Sequence, residues 1–202
     1  MFYLALPLAY LMGAFPTAYV VGKRNNIDIT KEGSGNVGGT NTLRVLGWRA
    51  GVTVALVDVL KALLPTLIAK QYLGLLPWQV SLIALAAIIG HNWSVFIGFK
   101  GGKGIACTIG ASLVLFPQAL LIALAIAVAV IALTKYVSLG SILLTVLLPV
   151  ILLLGEYTPL ESYDFSYVIF SVVLAVLAVY RHRGNIARLL NGTERKIGDK
   201  KK

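Results

Sequence analysis

One cysteine, Cys107, stands in the whole chain, so no internal disulfide can form, and the two histidines, His91 and His182, are not set among other ligand types at the spacing of a structural zinc site. No metal and no cofactor are therefore expected. Charge is scarce as well: Asp, Glu, Lys and Arg together make up 13% of the residues, and only eight of these groups are acidic against eighteen basic. A chain with so few charges and 58% apolar side chains has far more apolar surface than one soluble core of 202 residues requires. The mean hydropathy of +0.85 assigns it to a lipid bilayer. The net charge of +10 could point to nucleic acid, but basic residues beside apolar runs are explained by topology and anionic lipid, so no nucleic-acid partner is expected.

Apolar windows lie near 2–21, 52–69, 79–97, 105–116, 118–134, 137–155 and 166–180. The first begins at Met1 without the cationic start of a secretory signal and is expected to be a retained span. The expectation is an all-α polytopic membrane protein, a single integral membrane domain over 1–202 with about seven transmembrane helices. Two of the windows, 105–116 and 118–134, fall below the ~20 residues of an ordinary span and meet at Pro117, so they are expected to form a short hairpin.

Lysine and arginine set the orientation. Loop 22–51 carries Lys23, Arg24, Lys31, Arg44 and Arg49, loop 98–104 carries Lys100 and Lys103, Lys135 stands alone, and the tail from Arg181 holds eight more. Putting all four segments on the cytoplasmic side predicts the N-terminus outside and the C-terminus inside. The loop near 156–164, with Glu156, Glu161 and Asp164 and no basic residue, falls outside. No internal repeat is evident, which argues against an inverted-repeat transporter.

Three cytoplasmic segments carry groups suited to phosphate. In GSGNVGGTNTLRVLG, from Gly33 to Gly47, Gly33, Gly35 and Gly38 allow positive φ and close approach of backbone N–H groups to an anion. Ser34, Asn36, Thr40 and Asn41 add polar side chains there, and Arg44 adds a bidentate cation. The same glycines spell GxGxxG with Asp58 twenty residues on, but the segment follows a membrane helix rather than a strand, so a dinucleotide site is rejected. In GHNWSVFIGFKGGKG, from Gly90 to Gly104, His91 and Lys103 accompany Gly101, Gly102 and Gly104. The spacing is not that of a Walker loop, and Lys100 reads as an interfacial anchor. In YRHRGNIARLLNGTERK, a continuing helix would put Arg181, Asn185 and Arg188 on one face, with His182 and Asn185 at i and i+3. Arg181 and Arg183 read as topological anchors. Asp58 and Lys61, inside the second apolar window, are expected to form an ion pair. Asn92 and Asn191 open glycosylation-like triplets on the predicted cytoplasmic side and are discounted.

GSGNVGGTN, GHNW with GFKGGKG, and RHRGNIARLL together resemble the three cytosolic motifs of the bacterial acyl-phosphate:glycerol-3-phosphate acyltransferases of PlsY type. The resemblance runs through nearly the whole chain in length, span layout and motif order. Ser94 stands where that family usually has Pro, and Gly39 where Ala is common; neither change removes a functional group. The resemblance implies an enzyme of the bacterial inner membrane, multi-pass, with its site at the cytoplasmic face. It would transfer a fatty acyl group from acyl phosphate to the 1-hydroxyl of glycerol 3-phosphate, giving 1-acyl-glycerol 3-phosphate (lysophosphatidic acid) and phosphate for phospholipid synthesis. No obligatory protein partner is expected beyond the bilayer. By the same resemblance, Ser34, Arg44, Lys103, His182 and Asn185 contact substrate phosphates and glycerol hydroxyls, while Asn41, His91 and the glycines shape the walls, with Arg188 nearby. The base that takes the hydroxyl proton is either a histidine or the substrate's own phosphate, and the family's route favours the latter. The competing class is a small transporter of a phosphorylated metabolite, which would place polar groups near the midplane and on both faces.

Overall fold

The structure is a computed structural model in which residues 1–155 and 163–199 are described. Glu156 and Glu161 of the expected outer loop, and Lys200 to Lys202 of the basic tail, lie outside the described residues. Among the described residues every regular element is a helix. The chain forms two compact units, Met1–Leu115 and Phe116–Lys202.

The first unit contains α1 (Phe2–Ala14), α2 (Thr17–Arg24), α3 (Gly39–Leu46), α4 (Trp48–Gln71), α5 (Pro77–Asn92) and α6 (Ile105–Leu115), with a 3₁₀ turn over Val95–Ile97. Helix α1 packs along α5 and α4 along α6. Both pairs approach through glycine, since a Cβ on Gly13 would collide with the Ala87 carbonyl and one on Gly110 with the Val59 carbonyl. Such backbone-to-backbone contact replaces the hydrophobic drive that lipid removes from helix association.

The first apolar run is not one helix. It breaks at Phe15 and Pro16, because proline has no N–H for the ladder and clashes with the preceding turn. Carbonyls freed by that break need donors in a place without water. The Ser94 hydroxyl donates to the Ala14 carbonyl, and Lys61 Nζ donates to the Phe15 carbonyl at 2.9 Å.

The second unit contains α7 (Pro117–Thr134), α8 (Val137–Gly155), α9 (Phe165–Arg181) and α10 (Arg183–Leu190). Pro117 opens α7 at the helix position where its missing N–H costs nothing. Helix α8 packs against both α7 and α9. Phe116, fully buried, sits among the rings of Tyr163, Tyr167 and Phe170 at 6.2–6.4 Å. The tail returns to the α7–α8 turn, where Ile197 N donates to the Lys135 carbonyl and the Lys196 ammonium lies over the Tyr136 ring.

Each of the seven apolar windows carries a helix. Five stretches are long and apolar enough to cross a membrane: Phe2–Arg24 taken through its break, Trp48–Gln71, Pro77–Ile97, Pro117–Thr134 and Val137–Gly155. Helices α9 and α10, bent by 62° to each other, are long and apolar enough only when taken together as one broken span. The expected short segment near 105–116 is the 11-residue α6. The window at 118–134 is longer than a half-span: α7 has 18 residues, about 27 Å at the α-helical rise, close to the hydrocarbon thickness.

Candidate active site

The first loop is built on Asn41. Its side chain is buried on α3 and reaches back across the loop: Oδ1 accepts from Ser34 N at 2.8 Å, and Nδ2 donates to the carbonyls of Glu32 at 3.0 Å and Ile29 at 3.2 Å. This bracing leaves Ser34 exposed at the apex between Gly33 and Gly35. Both glycines have positive φ, +61° and +70°, and a Cβ on Gly33 would strike the Asn41 amide. The chain is held on entry by Asp28, whose carboxylate accepts from the Thr30 hydroxyl at 2.7 Å and the Thr30 N–H at 3.2 Å. The Thr30 hydroxyl, more than the nearby lysines, keeps the Asp28 carboxyl below the usual carboxylate range. Asn36 is half-buried, Gly38 is the extended residue before α3, Thr40 is exposed in its first turn, and Arg44 is half-buried in its last.

The second loop folds back on the end of α5. Gly102 N donates to the His91 carbonyl at 3.0 Å, and Tyr10 OH anchors the Trp93 carbonyl at 2.8 Å. Glycine is required here by contact. A Cβ on Gly101 would collide with the His91 carbonyl, and one on Gly102 with His91 Nε2. Gly104 has φ +83° and abuts the Asn92 side chain. Lys103 is half-buried two residues before α6, with Gly104 between them, and the first-turn N–H groups of that helix have no partner within it. Lys100 is exposed, in keeping with an interfacial anchor.

These two loops share one footing. Ile97, in the turn that opens the second loop, packs on a buried cluster of Ala18, Ile29, Val37 and Val54, and Val37 belongs to the first loop. Asp58 does not point at a ribose-like position; it is buried against Lys61 at 2.8 Å, the ion pair expected from the sequence.

In the second unit the third motif differs from a continuing helix. The chain turns at His182, which is buried and uses Nδ1 to bond the Ala178 carbonyl at 2.8 Å. Because a carbonyl only accepts, Nδ1 carries a proton in this bond. Asn185 and Arg188 lie beyond the bend, so the common face expected with Arg181 is lost. They are gathered instead by a residue that sequence reasoning passed over. Glu194 accepts from Asn185 Nδ2 at 2.6 Å, Arg188 Nε at 2.7 Å and the Ser138 hydroxyl at 2.8 Å. Burial pushes the Glu194 carboxyl up, but the hydrogen bonds from Asn185, Ser138 and Arg188 and the Arg188 charge outweigh it and hold the group below its ordinary value. The signal lay in the NGTE stretch, where an acid directly follows the glycosylation-like triplet at Asn191.

A family model described as glycerol-3-phosphate acyltransferase matches residues 3–192. The chain belongs to the glycerol-3-phosphate acyltransferase family. The resemblance drawn from the three motifs is thereby borne out. Among relatives of that family, a glycerol-3-phosphate acyltransferase of Alkaliphilus metalliredigens is 47% identical over 194 residues, covering 95% of this chain and 94% of its own. A glycerol-3-phosphate acyltransferase 2 of Moorella thermoacetica is 48% identical over 201 residues, 99% of this chain and 100% of its own. Two crystal forms of PlsY (YgiH), described as an integral membrane glycerol 3-phosphate acyltransferase, share the fold at 36% identity. The glycerol 3-phosphate form aligns with TM-score 0.91 over 98% of this chain and 96% of that one. The lysophosphatidic acid form aligns with TM-score 0.88 over 98% and 95%. The all-helical, membrane-integral architecture of this family member is thus shared with a solved acyltransferase.

Proposed function

We propose that the protein transfers a fatty acyl group from acyl phosphate to the 1-hydroxyl of sn-glycerol 3-phosphate. The observation that carries this reading is the pair of glycine-rich loops seated on one apolar cluster, each bringing a cation, Arg44 or Lys103, in a chain of the glycerol-3-phosphate acyltransferase family. Two phosphorylated substrates need two sets of anion donors, and exposed Ser34, the glycine-flanked backbone, Arg44 and Lys103 supply them in the first unit. In the second unit, the resemblance of the third motif assigns His182 and Asn185 to the glycerol hydroxyls, and Glu194 holds the Asn185 amide through Nδ2.

In the reaction the 1-hydroxyl oxygen forms a bond to the acyl carbonyl carbon, the bond from that carbon to the phosphate oxygen breaks, and inorganic phosphate leaves with the electron pair. The leaving group is good, so the demand falls on the hydroxyl proton. We assign that proton to the substrate's own phosphate. Arg44 and Lys103 neutralise the charge on the two phosphates as they approach. The distribution of Lys and Arg supports placing this site at the cytoplasmic face of a bacterial inner membrane, with the N-terminus outside. The acyl chain would lie between helices in lipid-like surroundings.

The test is purified protein in detergent with glycerol 3-phosphate and palmitoyl phosphate, following inorganic phosphate and the monoacyl product, with Lys103→Ala as control. Equal amounts of phosphate and 1-acyl-glycerol 3-phosphate, dependent on Lys103, are expected. Phosphate without acylated product would make the protein a hydrolase, and turnover with palmitoyl-CoA alone would overturn the donor.

A further inference from the structure

Asp58 and Lys61 lie within α4, and both are buried, at 2% and 7% exposure. A pair inside a span needs only each other, yet Asp58 is shared more widely. Its Oδ1 accepts from Lys61 Nζ at 2.8 Å and from Thr17 Oγ1 at 3.0 Å, and lies 3.7 Å from His91 Nδ1. The far side of the same imidazole faces the second glycine loop: His91 Nε2 occupies the space that a Cβ of Gly102 would need, and Gly102 N–H donates to the His91 carbonyl. A continuous line of contact therefore runs from Lys61 through Asp58 and His91 to Gly102, next to Lys103.

We propose that Asp58 is a positioning residue for the phosphate-binding loop. Its carboxylate, held by Lys61 and Thr17, keeps the His91 ring oriented with a protonated Nδ1 toward α4. The ring in turn fixes the Gly101–Gly104 backbone and presents Lys103 to the substrate phosphate. The physical reason is that a carboxylate repels a bare ring nitrogen and attracts an N–H, so it selects both the ring flip and the proton position. Burying a charge pair in a span is otherwise a poor way to gain stability, since apolar residues of similar volume do as well or better. What they cannot do is orient an imidazole. This inference rests on the reading of the second loop as a phosphate site.

Two measurements test it. The chain has only two histidines, so ¹⁵N NMR of imidazole-labelled protein, assigned with His182→Gln, reads the His91 proton directly. The expected spectrum has a proton on His91 Nδ1, and a bare Nδ1 with the proton on Nε2 alone would overturn the proposal. The second measurement is kinetic. Asp58→Leu combined with Lys61→Met removes both charges; it also enlarges position 58 and takes the Lys61 donor from the Phe15 carbonyl, so the melting temperature is expected to fall and the kinetics are read on the folded protein below it. The KM for glycerol 3-phosphate is expected to rise by about ten- to a hundredfold while kcat changes by less than about threefold. An unchanged KM in the folded double variant would reduce the cluster to an ion pair. Should that variant fail to fold, His91→Gln, which leaves the ion pair intact, must raise KM alone, and a parental KM there overturns the proposal equally. An inactive parent protein would defeat the acyltransferase reading while leaving the NMR result to stand on its own.

Discussion

Asn185 and Glu194, nine residues apart, are joined by a 2.6 Å hydrogen bond that orients the amide of one motif residue from the tail beyond it. Glu194 also holds Ser138 of α8 and Arg188 of α10. Glu194→Ala would orphan three donors, and bonds to a charged group contribute roughly 1.5 to 3 kcal/mol each in favourable cases. The expected outcome is a lower melting temperature together with loss of acylation, read by thermal unfolding in detergent and by product formation. An unaltered melting temperature would show that the bonds are not made.

The same carboxyl sets a pH dependence. Its folded value is depressed below the unfolded value of about 4.3. The stability it contributes is therefore complete above that unfolded value and is lost as pH falls through the folded value. Melting curves taken downward from neutral pH should fall more steeply for the parent than for Glu194→Gln, which cannot titrate.

Arg44→Ala and Lys103→Ala should each remove most activity. Truncating a phosphate-binding cation is expected to cost ~2 to 5 kcal/mol of transition-state binding, seen as a fall in kcat/KM with melting temperature nearly unchanged. Full activity in both variants would sink the assignment of the two loops. Lys100→Ala, at an exposed position, should leave kcat/KM close to the parent value.

Gly102→Ala places a methyl group where His91 Nε2 now lies. The loop must move away from α5, and activity should fall with it. Restoring the space by adding His91→Ala should recover less than the parent rate, because the ring that backs the loop is then missing. Steady-state kinetics of the two variants decide this.

Ser94 makes a bond to the Ala14 carbonyl that a proline at this position could not make. Ser94→Ala should destabilise by about 1 to 3 kcal/mol, the cost of a buried carbonyl left without a partner. The φ of −73° at Ser94 suits a pyrrolidine ring. Ser94→Pro should therefore be milder than Ser94→Ala, since it lowers the entropy of the unfolded chain. A melting temperature for Ser94→Ala equal to the parent's would show that the hydroxyl contributes nothing.

The pattern of long apolar windows and short polar loops announced the membrane class and the position of the apolar helices, but not α3 or the separate α10. The three motifs announced the family, because glycine, lysine and asparagine at those spacings have no use in anchoring a span. Three things were hidden, each for a physical reason. Pro16 sits within an apolar run that reads as continuous by hydropathy, although its missing N–H breaks the helix. The turn at His182 depends on a side-chain bond to Ala178, which no periodicity encodes. Glu194 and Asp58 reach partners as far as 56 and 41 residues away, and single-sequence spacing is blind to such distances.

The broken first span has one more consequence, and it concerns the order of assembly. Helices α1 and α2 satisfy their interruption only in part: Thr17 N donates to the Phe15 carbonyl at 3.0 Å, while Ser94 serves the Ala14 carbonyl and Lys61 adds a second donor to Phe15, both synthesised later. Until those residues enter the bilayer, the bent form of residues 2–24 lacks two of its buried hydrogen bonds. We therefore expect cross-linking between positions 15 and 61 to appear in nascent chains only after α4 has emerged, and the bend to become fixed only after α5. The span over residues 2–24 would then enter the membrane before α4 and α5 and acquire its native shape after them.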